Sequence, residues 1–359
     1  MRDTVAGTIT PAEPSLNNIA GQPVVLTYGN PAAEYAALRQ RAVVVDRSHR
    51  TRIRVRGPKA LEMINGLVTN DTAALTPGQG QYAVALSPKG KIVADVRIFV
   101  GADGILTDTG ARAGTGWRDI IRKYVNPRVA PYADESATVR SLGVFGPTAR
   151  HVVEEMTGVN SSALSLLPPY SHVQSEVEGA TVTVAHVEEL LVDGFELFAP
   201  AESFDSLWHS ASKAGASACG HSAWEIARVE AGRPEWGLDM DDATLAQEAN
   251  FDELHAISYT KGCYVGQEVV ARVHFKGHVN RHLRGLRVRE GAVPPLGAAL
   301  HDAADKSVGD VRTAVTSPTL GVIALGMVRR EVEVGASLTM RWEGGEGRAD
   351  VCALPFPGE

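Results

Sequence analysis

One short segment of this chain carries a cysteine in surroundings that would suit thiol chemistry. Its sequence is Lys261-Gly262-Cys263-Tyr264-Val265-Gly266-Gln267-Glu268. Glycines on both sides free the backbone and leave the sulfur of Cys263 unshielded, and Lys261 with the basic residues that follow would favour the thiolate. The alternative is that Cys263 is a small buried hydrophobic residue, as a lone cysteine in a globular protein usually is.

The cysteine segment, continued by Val-Val-Ala-Arg, resembles the signature of the YgfZ-type folate-binding proteins. These are relatives of the glycine cleavage T-protein, an aminomethyltransferase that lacks this cysteine. The resemblance implies an α+β fold in which three domains form a ring around a folate-sized cavity, with a small C-terminal β-barrel. It also implies tetrahydrofolate, or a one-carbon derivative of it, as the ligand, and it places Cys263 near the mouth of the cavity.

The same resemblance implies five folate contacts, Tyr82, Asp95, Glu196, Arg228 and Trp236. Asp95 matches a T-protein aspartate that orients the reacting nitrogen of tetrahydrofolate, a catalytic task for a carboxylate held in place. Glu196 would accept hydrogen bonds from two adjacent donors of the pterin ring. Arg228 would meet an anionic group of the folate, and Tyr82 and Trp236 would supply aromatic faces.

Several of these residues also have a purely structural interpretation. Asp95 could be a polar residue on the wet face of a strand, Arg228 part of an intrahelical ion pair, and Trp236 a core aromatic. The chain departs from the T-protein pattern at four positions, Ala94, Glu189, Leu191 and Val192. These departures predict that glycine-cleavage activity is weak or absent.

The elements that must position these residues mix helices and strands without the regular order of a doubly wound protein, which favours an α+β fold. Residues 51–56 alternate polar and apolar side chains, as in a sheet with one wet face. Two strand, Gly-Pro, helix units, around Gly57 and Gly146, hint at an internal duplication. From Val269 onward, short apolar runs between glycines and prolines predict a small barrel.

The resemblance and this change of pattern together predict three domains. They are residues 1–52 with 142–258, a discontinuous α+β folate-binding domain; residues 53–141, an inserted α+β domain; and residues 259–359, which hold the cysteine motif and the barrel.

Residues 261–289 form a positively charged stripe. Seven lysines and arginines against Glu268 give +6 in a chain of net charge −7. The stripe could guide an acidic folate tail or an acidic partner protein toward Cys263, or it could be a solvated face. It also contains three histidines at four-residue spacing, His274, His278 and His282. Gly277 argues against a helix that would align them, so we expect no metal site.

Charge and cysteine content exclude several function classes. A net charge of −7 argues against a general nucleic-acid binder. Three dispersed cysteines, Cys219, Cys263 and Cys352, give neither a disulfide framework nor a CxxC metal site, so a reducing compartment fits best. Residues 1–18 contain no apolar run, which predicts neither a signal peptide nor a membrane anchor. We therefore expect a cytoplasmic protein without membrane contact.

These features together predict a tetrahydrofolate-binding protein that supports the assembly or repair of iron-sulfur clusters through Cys263. Its expected partners are folate and iron-sulfur client or assembly proteins. Two alternatives remain open: an aminomethyltransferase that moves a one-carbon unit to tetrahydrofolate with Asp95 in the catalytic role, and a non-catalytic, folate-responsive scaffold. Cys263 distinguishes them, because a transferase has no need of it.

Overall fold

The computed structural model describes residues 14–357, so the prediction about the N-terminus falls largely outside the described residues. Helix α1 begins after Asn30, which accepts hydrogen bonds from two first-turn backbone N–H groups, and Pro31 occupies its first position. The helices are α1 Pro31–Gln40, α2 Ala60–Asn65, α3 Gly114–Tyr124, α4 Ala149–Thr157, α5 Ser161–Ser165, α6 Phe204–Lys213, α7 His221–Glu230 and α8 Gln267–Lys276.

The strands make up three larger sheets and one small hairpin. They are β1 Ser15–Ile19, β2 Gln22–Thr27, β3 Val43–Asp46, β4 Thr51–Val55, β5 Gly80–Leu86, β6 Ile92–Gly101, β7 Gly104–Thr109, β8 Tyr132–Asp134, β9 Val139–Phe145, β10 His172–Val177, β11 Ala180–His186, β12 Gly194–Pro200, β13 Ser217–Ala218, β14 Arg281–Glu290, β15 Ala299–His301, β16 Ser307–Ser317, β17 Gly321–Arg329, β18 Ser337–Trp342 and β19 Gly345–Cys352.

The first large sheet has the order β5-β6-β7-β4-β8. Its apolar face packs against α2 and α3, with Ile64 and Trp117 fully buried in that core. A hairpin turn around Ser87 and Lys89 joins β5 to β6, which pair antiparallel. Strand β5 carries Tyr82 and β6 carries Asp95, so this sheet positions two of the expected site residues.

The second sheet has the order β10-β11-β12-β9-β3-β13 and carries Glu196 on its inner strand β12. One face packs against α4 and α6, and the other contributes to a core shared with α1 and α7. The last strands close into a six-stranded barrel, β14-β17-β16-β15-β18-β19. An α+β fold with a small C-terminal barrel is therefore confirmed.

Two of the three predicted domain boundaries fall inside strands. The boundary between residues 52 and 53 lies within β4, which belongs to the five-stranded sheet. The boundary between residues 141 and 142 lies within β9, which belongs to the six-stranded sheet. The division into three domains itself stays a prediction.

One local expectation was wrong, because residues 267–276 form a helix rather than barrel strands. Gly266 precedes the helix with φ at 84°, a conformation that glycine adopts without strain, and Gly277 ends it. Glycine therefore bounds this helix instead of interrupting it. His274 lies in α8 whereas His282 lies in β14, so the four-residue spacing does not align the histidines.

Within the described part of the chain, no helix has the length and apolar content that crossing a bilayer requires.

Candidate active site

A cavity brings together residues from the β3–β4 connection, from β5 and β6, and from α7 and the segment after it. The cavity is lined by Arg47, His49, Arg50, Tyr82, Asp95, Gly110, Ala111, Tyr170, Glu189, His221, Trp224, Arg228, Arg233, Pro234 and Glu235.

Asp95 lies at the wall of this cavity. The Tyr82 hydroxyl donates to Asp95 Oδ2 at 2.9 Å. Burial raises the pKa of Asp95, although Arg50 and the hydrogen bond from Tyr82 act in the opposite direction. Side chains alternate along a strand, and the neighbouring Ala94 is fully buried in the core of the five-stranded sheet. The departure from the T-protein pattern at Ala94 therefore lies in the core and not in the cavity lining.

Aromatic rings form a second part of the cavity wall. Tyr82 and Tyr170 stack with ring centroids 5.8 Å apart and planes 15° apart. The guanidinium carbon of Arg233 lies 5.7 Å from the centroid of the Tyr82 ring. Trp224 has Arg47 at 4.1 Å on its ring and His221 stacked at 5.6 Å. Flat rings beside cations suit a planar, anionic or electron-rich ligand.

A buried network of arginines and carboxylates lies behind these rings. Arg97 Nη2 donates to Glu196 Oε1 at 2.9 Å and to Asp108 Oδ1 at 2.6 Å. Arg97 Nη1 donates to Glu189 Oε1 at 2.7 Å. Arg47 Nη2 donates to the other oxygen of Glu189 at 2.6 Å. Charge-assisted pairs of this kind fix both partners, so the network is a rigid support for the cavity.

The two glutamates of this network differ in their access to the cavity. Glu196 is fully buried and does not line the cavity, and Ser141 donates to it at 2.7 Å in addition to Arg97. Burial alone would raise the pKa of Glu196, but Arg97 and Arg47 outweigh it and hold this pKa well below its usual range. Glu189 lines the cavity with 13% of its side chain exposed. Glu189 is therefore better placed than Glu196 to make the ligand contact that the sequence predicted for Glu196.

Arg228 lines the cavity, but its guanidinium is occupied. It pairs with Glu225 at 2.6 Å and with Asp239 at 2.6 Å. Burial lowers the pKa of Arg228, and Asp239 and Glu225 more than reverse this effect. Trp236 is not part of the cavity lining and packs between two hydrophobic cores. Arg228 is therefore part of an intrahelical ion pair and Trp236 packs as a core aromatic, which are the structural interpretations that the sequence also allowed.

The cysteine motif lies outside the cavity lining. Cys263 is exposed. Lys261 Nζ donates to the backbone carbonyls of three residues, Asn65 at 2.6 Å, Val68 at 2.8 Å and Asn70 at 2.8 Å. Burial lowers the pKa of Lys261 to about 8. An ammonium group has three N–H donors, so none is left for the thiol of Cys263.

Three side chains at the cavity edge offer ligand atoms that could hold a metal ion. The ligand atoms of His221, Glu225 and Glu235 lie within 4.8 Å of one another. Burial lowers the pKa of His221 to about 4, so its ring is neutral near pH 7. However, Glu225 already pairs with Arg228 and Glu235 with Arg112. Both carboxylates are neutralised, which leaves little charge to attract a cation.

Several cavity residues were missed in the sequence. On α7, His221, Trp224 and Arg228 recur at spacings of three and four residues, which is one face of a helix. This spacing could have identified His221 and Trp224 as neighbours of the predicted Arg228. Glu189 was noticed only as a departure from the T-protein pattern, and nothing in its sequence surroundings indicates that it meets Arg97.

Comparison with known proteins connects this architecture to one family. Residues 25–258 match the model of the GCVT N-terminal domain, and residues 281–357 match that of the glycine cleavage T-protein C-terminal barrel domain. The chain belongs to the glycine cleavage T-protein family. The barrel of β14 to β19 is thus the family's C-terminal barrel domain.

Similar members of this family are aminomethyltransferases. The aminomethyltransferase of Thermosynechococcus vestitus is 30% identical over 318 residues, which cover 88% of this chain and 85% of the relative. That of Saccharopolyspora erythraea is 29% identical, over 95% of this chain and 94% of the relative. The crystal structure of glycine cleavage system aminomethyltransferase T from Bartonella henselae has a TM-score of 0.84 at 23% identity, covering 96% of this chain and 95% of that one. This structure supports the fold.

Proposed function

We propose that this T-protein family member binds tetrahydrofolate, or a one-carbon derivative of it, in the cavity and transfers a one-carbon unit as an aminomethyltransferase does. The observation that carries the proposal is Asp95 at the cavity wall. Its Oδ2 accepts from Tyr82, and no hydrogen bond from another residue among 14–357 reaches its Oδ1. That oxygen is free to accept a hydrogen bond from the reacting nitrogen of the folate and to stabilise positive charge there.

The remaining parts of the folate would meet groups that the cavity presents. The pterin ring fits against the stacked Tyr82 and Tyr170. Glu189, rather than the buried Glu196, would accept the adjacent amino and ring N–H groups of the pterin. Arg233 lines the cavity without an ion-pair partner among residues 14–357, so it would meet an anionic group of the ligand.

Two departures that argued against a transferase lose weight in this arrangement. Ala94 lies in the core, where an aspartate would be buried without a partner. Glu189, one of the unmatched residues, supplies a carboxylate to the cavity. For this reason we rank aminomethyl transfer above the iron-sulfur function that the motif of Cys263 suggests.

The test is the transfer of a labelled methylene group from an aminomethyl-lipoyl carrier protein to tetrahydrofolate. We expect turnover, and we expect Asp95→Asn to lower kcat by about 10²- to 10⁴-fold while tetrahydrofolate still binds. Asp119→Asn, on the exposed side of α3, is the matched control and should leave kcat unchanged. Tetrahydrofolate binding by calorimetry without any turnover would exclude the transferase and keep the folate site.

A second candidate function is support of iron-sulfur cluster assembly or repair, and the exposure of Cys263 favours it. An aminomethyl transfer at Asp95 does not require this thiol. Complementation of a strain that lacks its own homologue, measured as the activity of a cluster-dependent enzyme, tests this function. Loss of rescue with Cys263→Ser and retention with Cys352→Ser would support it. Full rescue by Cys263→Ser would exclude a role for the thiol.

A further inference from the structure

One face of helix α8 is exposed. Of its ten residues, Val270 is buried, Gln267, Val269, Ala271 and Val273 are half-buried, and the other five are exposed. Near its C-terminal end, Phe275 is 67% exposed, and it is the only aromatic among the large, strongly exposed hydrophobic side chains of residues 14–357. An exposed aromatic side chain of this kind is typical of the central residue of an interaction surface.

The aromatic side chains around Phe275 form an ordered cluster. His274 stacks on Tyr259 with ring centroids 3.6 Å apart. The Phe275 ring meets His274 edge-on at 4.7 Å and Tyr259 edge-on at 6.3 Å. The Tyr259 hydroxyl donates to Asp252, which fixes the lowest ring of the stack. Because these rings are held in place before binding, a partner would not have to order them.

The same face of the molecule carries cations without internal partners. Arg272 and Lys276 lie on α8, are exposed, and take part in no ion pair among residues 14–357. Glu268 is the only acidic residue of the helix. By contrast, Arg281, just beyond the helix, pairs with Glu248. The unpaired positive charge is therefore concentrated around Phe275, in a chain whose net charge is −7.

We propose that the exposed face of α8, centred on Phe275 between Arg272 and Lys276, is a docking surface for an acidic segment of a partner protein that carries an apolar residue. Charge complementarity selects acidic side chains for Arg272 and Lys276, and the apolar residue would pack on the ring of Phe275. The net negative charge of the whole chain disfavours a long polyanion such as a nucleic acid. A partner docked here would lie beside the segment of Cys263, which ends where α8 begins.

The test uses fluorescence anisotropy of a labelled peptide of aspartate and glutamate residues around a central Leu-Leu pair, with the full-length protein. We expect saturable binding that weakens with added salt. Lys276→Glu should weaken it at least about tenfold, because like charges then face each other. Lys213→Glu is the matched control, since Lys213 is also exposed in the last turn of a ten-residue helix, and it should leave the affinity unchanged.

A second pair of variants tests the apolar contact. Phe275→Ser should weaken peptide binding, whereas Leu296→Ser, at an exposed apolar residue of the barrel, should not. The proposal is overturned by absence of binding, by equal losses in Lys276→Glu and Lys213→Glu, by tighter binding of a single-stranded DNA of equal charge, or by self-association through Phe275 in sedimentation experiments. None of these measurements depends on tetrahydrofolate, so they are independent of the proposed activity.

Discussion

The cavity region and the α8 surface both contain charged and aromatic side chains, but those of the cavity region are mostly buried and those of α8 are exposed. In the network behind the cavity wall, Arg97 and Glu196 are at most 1% exposed, and the guanidinium of Arg97 pairs with both carboxylate oxygens of Glu196. On α8, Arg272 and Lys276 are exposed and form no ion pair with any residue between positions 14 and 357. The buried charges hold the site together, whereas the exposed charges of α8 are available to bind a partner.

This difference has a physical cause. A buried charge without a partner costs several kcal/mol, so the chain must supply the counter-charges itself. An exposed charge is solvated by water and can remain unpaired until a partner arrives. The exposed charges of α8 therefore depend little on the rest of the fold, whereas the residues around Asp95 depend on contributions from both sheets and from α7.

The largest expected difference between the regions is in thiol reactivity. Cys263 is exposed, whereas Cys219 is 1% exposed and burial raises the pKa of its thiol. Cys219 should react with a maleimide at least about a thousandfold more slowly, because labelling needs an opening of the core. Mass spectrometry of timed samples measures both rates. A fast phase that persists in Cys263→Ser would assign the reactive thiol to Cys352 and remove this contrast.

The next largest effect is expected from breaking the buried network. Arg97→Leu should lower the free energy of unfolding by about 3 to 5 kcal/mol, because it leaves Glu196 and Asp108 without their main counter-charge. Arg122→Leu, in an exposed pair with Asp119, should cost less than about 1 kcal/mol. Urea unfolding followed by fluorescence measures both. Equal costs would mean that burial does not distinguish the two pairs.

A smaller effect is expected on ligand affinity, and it separates the two glutamates. Glu189→Gln should weaken tetrahydrofolate binding by roughly ten- to a hundredfold, since a hydrogen bond to a charged group contributes about 1.5 to 3 kcal/mol. Glu196→Gln removes a charge that does not face the cavity and should act mainly on the free energy of unfolding. Isothermal titration calorimetry measures the affinities. The reverse order would restore Glu196 as the pterin contact.

The smallest effect concerns pH. Burial lowers the pKa of His221 to about 4, so between pH 4 and 6.5 the unfolded chain binds a proton there that the folded chain does not. Stability from this residue is full above pH 6.5 and falls on acidification. His221→Asn should flatten the dependence by at most about 1.4 kcal/mol per pH unit. Urea midpoints at pH 7, 6 and 5 check this, with exposed His209→Asn as the control. An unchanged slope would show that the folded protein binds a proton at His221 as readily as the unfolded chain does.

Much of the fold could be predicted from local patterns. The alternation in residues 51–56 and the short strands of the barrel correspond to observed strands, although Arg52, on the face predicted to be wet, is fully buried. The prediction failed for α8, because a glycine at a helix end was interpreted as a glycine within a helix. The error was local, and it affected the helix that carries Phe275.

The sequence by itself determined the family resemblance, the position of the exposed Cys263 and the candidacy of Asp95, because short motifs and strand alternation are local properties. Only the tertiary structure decided that Glu189 faces the cavity, that Arg97 pairs with Glu196, and that Lys261 donates to three backbone carbonyls instead of the thiol. These pairings join residues up to 196 positions apart. Burial makes each of them energetically decisive, and burial is a property of the folded chain.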